Sequence, residues 1–179
     1  MVSRMAAQLT LPVGARDHVQ GSPTAAVTLV EYGDFECPHC GAAHATIKHI
    51  QQILGDRVRF VFRHFPLTQI HPHAERAAEA AEAAGAQGRF WEMHDLLFEN
   101  QQALDDRHLV LFAEELGLDM VRFARELAEG RYRERVREDF MSGVRSGVNG
   151  TPTFFINGVR HDGPWDTQSL LAGIERATE

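Results

Sequence analysis

Ala26 to Tyr32 reads AVTLVEY, seven residues too continuously apolar for a strand with one wet face. Such a run needs cover on both sides, as the strands of a parallel or mixed sheet receive from crossover helices. Gly33-Asp34 closes it, and a helix pattern begins at once. Cys37 stands where an N-cap or first-turn residue would, and Pro38 is tolerated in a first turn. Cys40, Ala43, Ile47, Ile50 and Leu54 then recur at three- and four-residue steps up to Gly55. Val58 to Phe65 (VRFVFRHF) alternates, with Val58, Phe60 and Phe62 on one side and Arg59, Val61 and Arg63 on the other. Two strands joined by a crossover helix must run parallel, which sets the fold class as α/β.

From Pro66 to about Ser146 every periodic segment is helical, and no strand is expected. Pro72 opens an Ala-rich helix toward Gly85. Phe90, Met93, Leu97 and Gln101 line a second helix, and Asp106 is the expected cap of a third bearing Leu109, Phe112, Ala113 and Leu116. Asp119 is the expected cap of a fourth, closed by Gly130, and a last long helix carries Tyr132, Val136, Phe140 and Val144 at four-residue steps. These stripes read as core. Strand character returns at Thr153 to Ile156, turns at Asn157-Gly158 and resumes over Val159 to Asp162, a hairpin that adds antiparallel pairing and makes the sheet mixed. A helix from about Asp166, with Leu170, Leu171 and Ile174, ends the pattern. The helical block is thus an insertion between two halves of one sheet.

Composition narrows the function classes. At 179 residues, 44% of them hydrophobic and 24% charged, the chain is of ordinary globular type. Its net charge of −7 argues against nucleic acid as the main partner. Apolar stretches fall far short of the roughly 20 residues that span a bilayer, so no membrane span is expected. Met1 to Gln8 (MVSRMAAQ) lacks the apolar region of about 7–15 residues that a secretory leader carries. The expectation is therefore a cytoplasmic location for the chain as written, with a periplasmic or extracytoplasmic one as the alternative if a leader has been removed.

The two cysteines, Cys37 and Cys40, cannot staple a fold, but their placement carries chemistry. A Cys-X-X-Cys at a helix start puts two thiols within disulfide reach, with the first at the positive end of the helix dipole. Cysteines so placed titrate from about 3.5 to about 7.5, against about 8.5 for a free thiol. His39, between them, can carry positive charge and donate to Cys37, which favours the reduced thiolate and makes the disulfide a stronger oxidant. The spacing alone also suits inert thiols or half of a zinc site, whose other ligands would have to come from histidines such as His64, His71 or His73.

EYGDFECPHC, the helix after it and the late GTPTFFING resemble the thioredoxin superfamily, and within it the DsbA family of bacterial thiol-disulfide oxidoreductases. The resemblance covers roughly 17–177. It implies a single thioredoxin-like domain over 1–179, with the core at about 17–65 and 147–179 and the helical insertion at about 66–146. It also implies a redox pair, Cys37 and Cys40, modulated by Pro38 and His39, with no cofactor and no metal. In the family the proline matching Pro152 is cis and faces the cysteines, so Thr151-Pro152 is expected to be cis and to offer the Thr151 backbone to a bound peptide. Thr151 stands where the best-known oxidase has Val, and is similar to the residue of isomerases and reductases. Glu31, six residues before Cys37 and on the apolar strand, matches the superfamily's acid beneath the cysteines, a proton acceptor for the second of them. Arg59 or Arg63 on the next strand is the expected balancing cation for it. The implied substrates are protein thiols and disulfides, and the implied redox partner is a thioredoxin, glutathione or a membrane reoxidase.

The direction of exchange, as oxidase, isomerase or reductase, stays open at this level. So do two rivals, a peptide-binding or chaperone-like module with accessory cysteines and a metal-binding protein. His44, His49 and His94 read as surface or structural groups.

Overall fold

The computed structural model describes residues 5–179, so part of the stretch Met1 to Gln8 lies outside the described residues. The strands are β1 (His18–Gly21), β2 (Val27–Gly33), β3 (Val58–His64), β4 (Thr153–Ile156) and β5 (Val159–Arg160). The α-helices are α1 (Pro38–Leu54), α2 (Ala74–Gly85), α3 (Phe90–Glu99), α4 (Asp106–Glu115), α5 (Met120–Ala128), α6 (Arg133–Arg145) and α7 (Thr167–Arg176). The five strands form one sheet in the order β1-β3-β2-β4-β5. The β1–β3, β2–β4 and β4–β5 pairs are antiparallel, and the mixed sheet takes its parallel pair from β2 and β3, on either side of α1. This is a thioredoxin-like fold.

The chain divides into two compact units, one of residues 1–33, 42–63 and 141–179 and one of residues 34–41 and 64–140. The first holds nearly all of the sheet. β2 is buried at every position but Thr28 and β3 at every position but Arg59, as interior strands of a mixed sheet should be. Asn157 and Gly158, with φ of 47° and 82°, make the two-residue turn that brings Val159 opposite Ile156. Main-chain bonds from Leu9 and Arg160 tie residues 7–9 along that hairpin.

β1 is not anticipated by the sequence pattern. Its four residues, HVQG, are half-buried or exposed and too short for an alternation to register. It is held beside β3 by side-chain chemistry as well as by the ladder. Asp17 accepts from Arg63 Nε at 2.8 Å and Nη2 at 3.0 Å, and the same guanidinium donates to the Leu11 and Pro12 carbonyls and to Tyr32 Oη. Burial works against the Arg63 charge, but the bonds to Asp17 and Tyr32 outweigh it and hold its pKa above the ordinary arginine value.

In the second unit α2 packs against α3, α4 and α5. Its alanines at 74, 77, 78, 80, 81, 83 and 84 are all buried, so the Ala-rich tract is a close-approach helix rather than a solvated one. His64, the last residue of β3, is fixed among the helices: its N–H donates to Asp139 at 3.0 Å and its ring pairs with Glu82 at 3.0 Å, while Arg135 reaches Glu82 at 3.5 Å.

Three sequence expectations need correction here. The cap of α4 is Asp105, not Asp106, and its carboxylate engages His108 instead of a main-chain N–H. Val144 is exposed while Val136 is buried. A strict four-residue step drifts about 40° per turn around a helix, so the buried face of α6 passes instead through Asp139 and Ser142. Finally, α3 stops at Glu99, which leaves Gln101 in the loop beyond it.

Candidate active site

Cys37 and Cys40 lie at the start of α1, one turn apart, with the Pro38 ring as the first helical residue. Pro38 lacks the N–H that a first turn could not use, so the sequence starts the helix at this point. Cys37 keeps 4% of its surface exposed and Cys40 none, whereas Pro38 and His39 are exposed. Both thiols are thus buried, with Cys37 the less enclosed of the two.

The turn that delivers these residues is built by Asp34. Its carbonyl accepts from Cys37 N–H at 3.2 Å and its N–H donates to Cys40 Sγ at 3.5 Å. The carboxylate, fully buried, accepts from Glu36 N–H at 2.8 Å, Leu67 N–H at 2.9 Å and His71 Nδ1 at 2.7 Å. Phe35, also buried, sets its ring among His64, His94 and Phe98, anchoring the turn in the helical unit. Glu36 accepts from His73 N–H at 2.8 Å and faces that imidazole at 3.2 Å. His64, His71 and His73, the candidate zinc ligands of the sequence reading, are thus each paired with a carboxylate. His94 is buried beside Asp95, whose Oδ1 lies 3.0 Å from Nδ1.

Gln101, misassigned to a helix stripe by periodicity, sits on this turn. Its side-chain amide donates to the Phe35 carbonyl at 2.9 Å and to the Cys37 carbonyl at 2.8 Å. Gly41 makes room for it, since a Cβ there would stand 2.3 Å from Gln101 Oε1. A cavity of about 430 Å³ opens alongside, with Pro38, Glu36, His73 and Gln101 in its walls. The glycine after Cys-Pro-His-Cys was the available signal, because a glycine within a helix turn marks a close approach.

Glu31, Thr151 and Pro152 belong to the sheet unit. Glu31 is buried and pairs across the ladder with Phe154, while Tyr32 pairs with Thr153, so β2 and β4 bring the acid and the proline segment to one end of the strand pair. The Thr151-Pro152 peptide is cis, and both residues are half-buried. Thr153 Oγ1 donates to the Gly150 carbonyl at 2.7 Å just behind them. Of the cations expected near Glu31, Arg63 donates to Asp17 at 2.8 Å and Arg59 to Thr28 Oγ1 at 2.7 Å.

Residues 15–176 match the family model described as Thioredoxin. The chain belongs to this thioredoxin family. Its solved neighbours are DsbA-like thiol-disulfide oxidoreductases. Oxidised BdbD from Bacillus subtilis superposes with a TM-score of 0.85 at 23% identity, covering 97% of each chain. A thioredoxin-like oxidoreductase from Silicibacter pomeroyi superposes with a TM-score of 0.81 at 27% identity, covering 92% of this chain and 93% of that one. Among curated proteins, the Na(+)/H(+) antiporter NhaA 1 of Salinispora arenicola is 49% identical over 98% of this chain but only 27% of its own length. This thioredoxin-family chain spans about a quarter of the curated relatives it matches. Among the described residues no helix is long and apolar enough to cross a membrane.

Proposed function

We propose that the chain exchanges disulfides with protein substrates through Cys37 and Cys40. The observation that carries this reading is the placement of two thiols one turn apart at the start of α1, Cys37 keeping 4% of its surface exposed and Cys40 none. In the oxidising direction a substrate thiolate attacks Cys37 Sγ of the Cys37–Cys40 disulfide. The substrate–Cys37 bond forms, the S–S bond breaks and Cys40 leaves as a thiolate. A second substrate thiolate then attacks the substrate sulfur of the mixed disulfide and releases Cys37, so the substrate loses two electrons and the pair gains them. The reducing direction is the reverse, with Cys37 attacking and Cys40 resolving. Net direction follows the difference in potential between this couple and its partner, whether a thioredoxin, glutathione or a membrane reoxidase.

His39, exposed next to Cys37, is assigned a charge-stabilising role toward the thiolate, and Pro38 the role of fixing the turn. Glu31 as proton acceptor in the resolving step and Thr151-Pro152 as the peptide-backbone contact rest on the resemblance alone. The antiporter name of the longer relatives belongs to proteins of which this stretch is a minor part, and we assign the exchange chemistry, not ion translocation, to it.

The test uses three proteins. Cys37→Ser should abolish insulin reduction and substrate oxidation, while Cys40→Ser should accumulate a mixed disulfide on Cys37, visible on non-reducing gels and by mass. A Cys37→Ser, Cys40→Ser double variant that keeps full activity toward unfolded clients would favour a peptide-binding module instead.

A further inference from the structure

One residue bridges both cysteines through its main chain. Asp34 accepts from the Cys37 N–H with its carbonyl and donates its own N–H to Cys40 Sγ. Its side chain determines where that N–H points. Three donors from three places, Glu36 N–H in the turn, Leu67 N–H in the loop after β3 and His71 Nδ1 farther along it, converge on one buried carboxylate. Such a clamp leaves the peptide unit at Asp34 little rotational freedom, so the donor is held toward the sulfur before any charge develops there.

We propose that Asp34, braced by His71, is a positioning residue that tunes the redox equilibrium by aiming a main-chain N–H at the Cys40 sulfur. The inference rests on the exchange reading above. A hydrogen bond to a charged acceptor is roughly twice as strong as one to a neutral acceptor. The Asp34 N–H therefore acts most on Cys40 as it leaves as a thiolate, and least on the disulfide sulfur. It stabilises the reduced pair and improves Cys40 as a leaving group. Loosening the clamp makes the disulfide a weaker oxidant and slows attack on it. A purely structural Asp34 would lower the stability of both redox forms equally and leave their balance untouched.

The experiment equilibrates the full chain with reduced and oxidised glutathione and reads the dithiol fraction by alkylation and mass. Asp34→Ala is expected to lower the equilibrium constant for reduction of the disulfide about three- to tenfold. By the two-electron relation this is a fall in potential of about 14–30 mV. Asp34→Asn, which keeps one acceptor oxygen, should fall between it and the native chain. His71→Ala should show part of the effect, and His71→Asn, which restores an amide donor near the position of Nδ1, should recover most of it. Should Asp34→Ala not fold, the Asn and His71 variants carry the test, with thermal unfolding of each redox form measured alongside. Variants with the native potential and equal destabilisation of both forms would overturn the positioning role alone. A native chain with no two-electron transition in glutathione would overturn the exchange reading and this role together.

Discussion

The proposed chemistry depends on a few side chains that no periodicity identifies. Cys37, Pro38, His39 and Cys40 are legible because a Cys-X-X-Cys at a strand-to-helix junction is a motif with a mechanism. Asp34, His71 and Gln101 are not, because hydrogen bonds between residues far apart in the sequence place them, Asp34 with Leu67 and His71 and Gln101 with Phe35 and Cys37. Gln101 fell into an apolar stripe simply by being four residues after Leu97. Its two bonds to the Phe35 and Cys37 carbonyls exist only because Gly41 has no Cβ. Gln101→Ala should therefore cost about 1–3 kcal/mol of unfolding free energy, the range for carbonyls losing a buried partner. Gly41→Ala should displace the same amide and cost a similar amount. Because the two substitutions remove one interaction, the double variant should be less destabilised than their sum, read from denaturant unfolding of all four proteins. Strict additivity would show that Gly41 and Gln101 act separately.

At the scale of elements, those with strong local signals fall where the sequence puts them. β2, α1, β4 and the Asn157-Gly158 turn each combine a period, a cap or a required backbone conformation. β1 escapes because a four-residue strand held by the Asp17–Arg63 pair has no pattern of its own, and removing one partner of a buried pair typically costs about 3–5 kcal/mol. The alanine face of α2 was legible as apolar, but the acid within it was not. Burial pushes the Glu79 carboxyl above the ordinary glutamate value, against the opposing pull of Arg76 and Arg133 and with further push from Glu75 and Asp106. A raised folded-state pKa means that the folded chain binds more protons than the unfolded one, so stability falls as pH rises through the ordinary glutamate range and then levels off above the folded value. Glu79→Gln is accordingly expected to match the native chain in acid and to exceed it in stability at neutral pH. Thermal unfolding across that range checks this, and a variant less stable than the native chain at neutral pH would show instead that the Glu79–Arg76 pair, at 4.0 Å, outweighs the burial.

At the scale of the whole molecule, the grouping of residues into two compact units cuts across sequence order. Residues 34–41, which carry both cysteines, group with the helices at 64–140 and not with the strand that precedes them. Sequence order alone cannot show this, because the grouping is made by Phe35 among the aromatic rings and by Asp34 and Gln101 across the turn. The pair also has no competing thiol, since the chain has no cysteine besides Cys37 and Cys40. A disulfide formed within residues 1–179 must join these two. Equilibration over a series of glutathione ratios, quenched by alkylation and read by mass, tests the central claim most directly. The account predicts one two-electron transition in which both cysteines lose their alkylation together and the chain loses two hydrogens. Cysteines that stay alkylatable at every ratio, or that each end as a stable glutathione adduct, would contradict it.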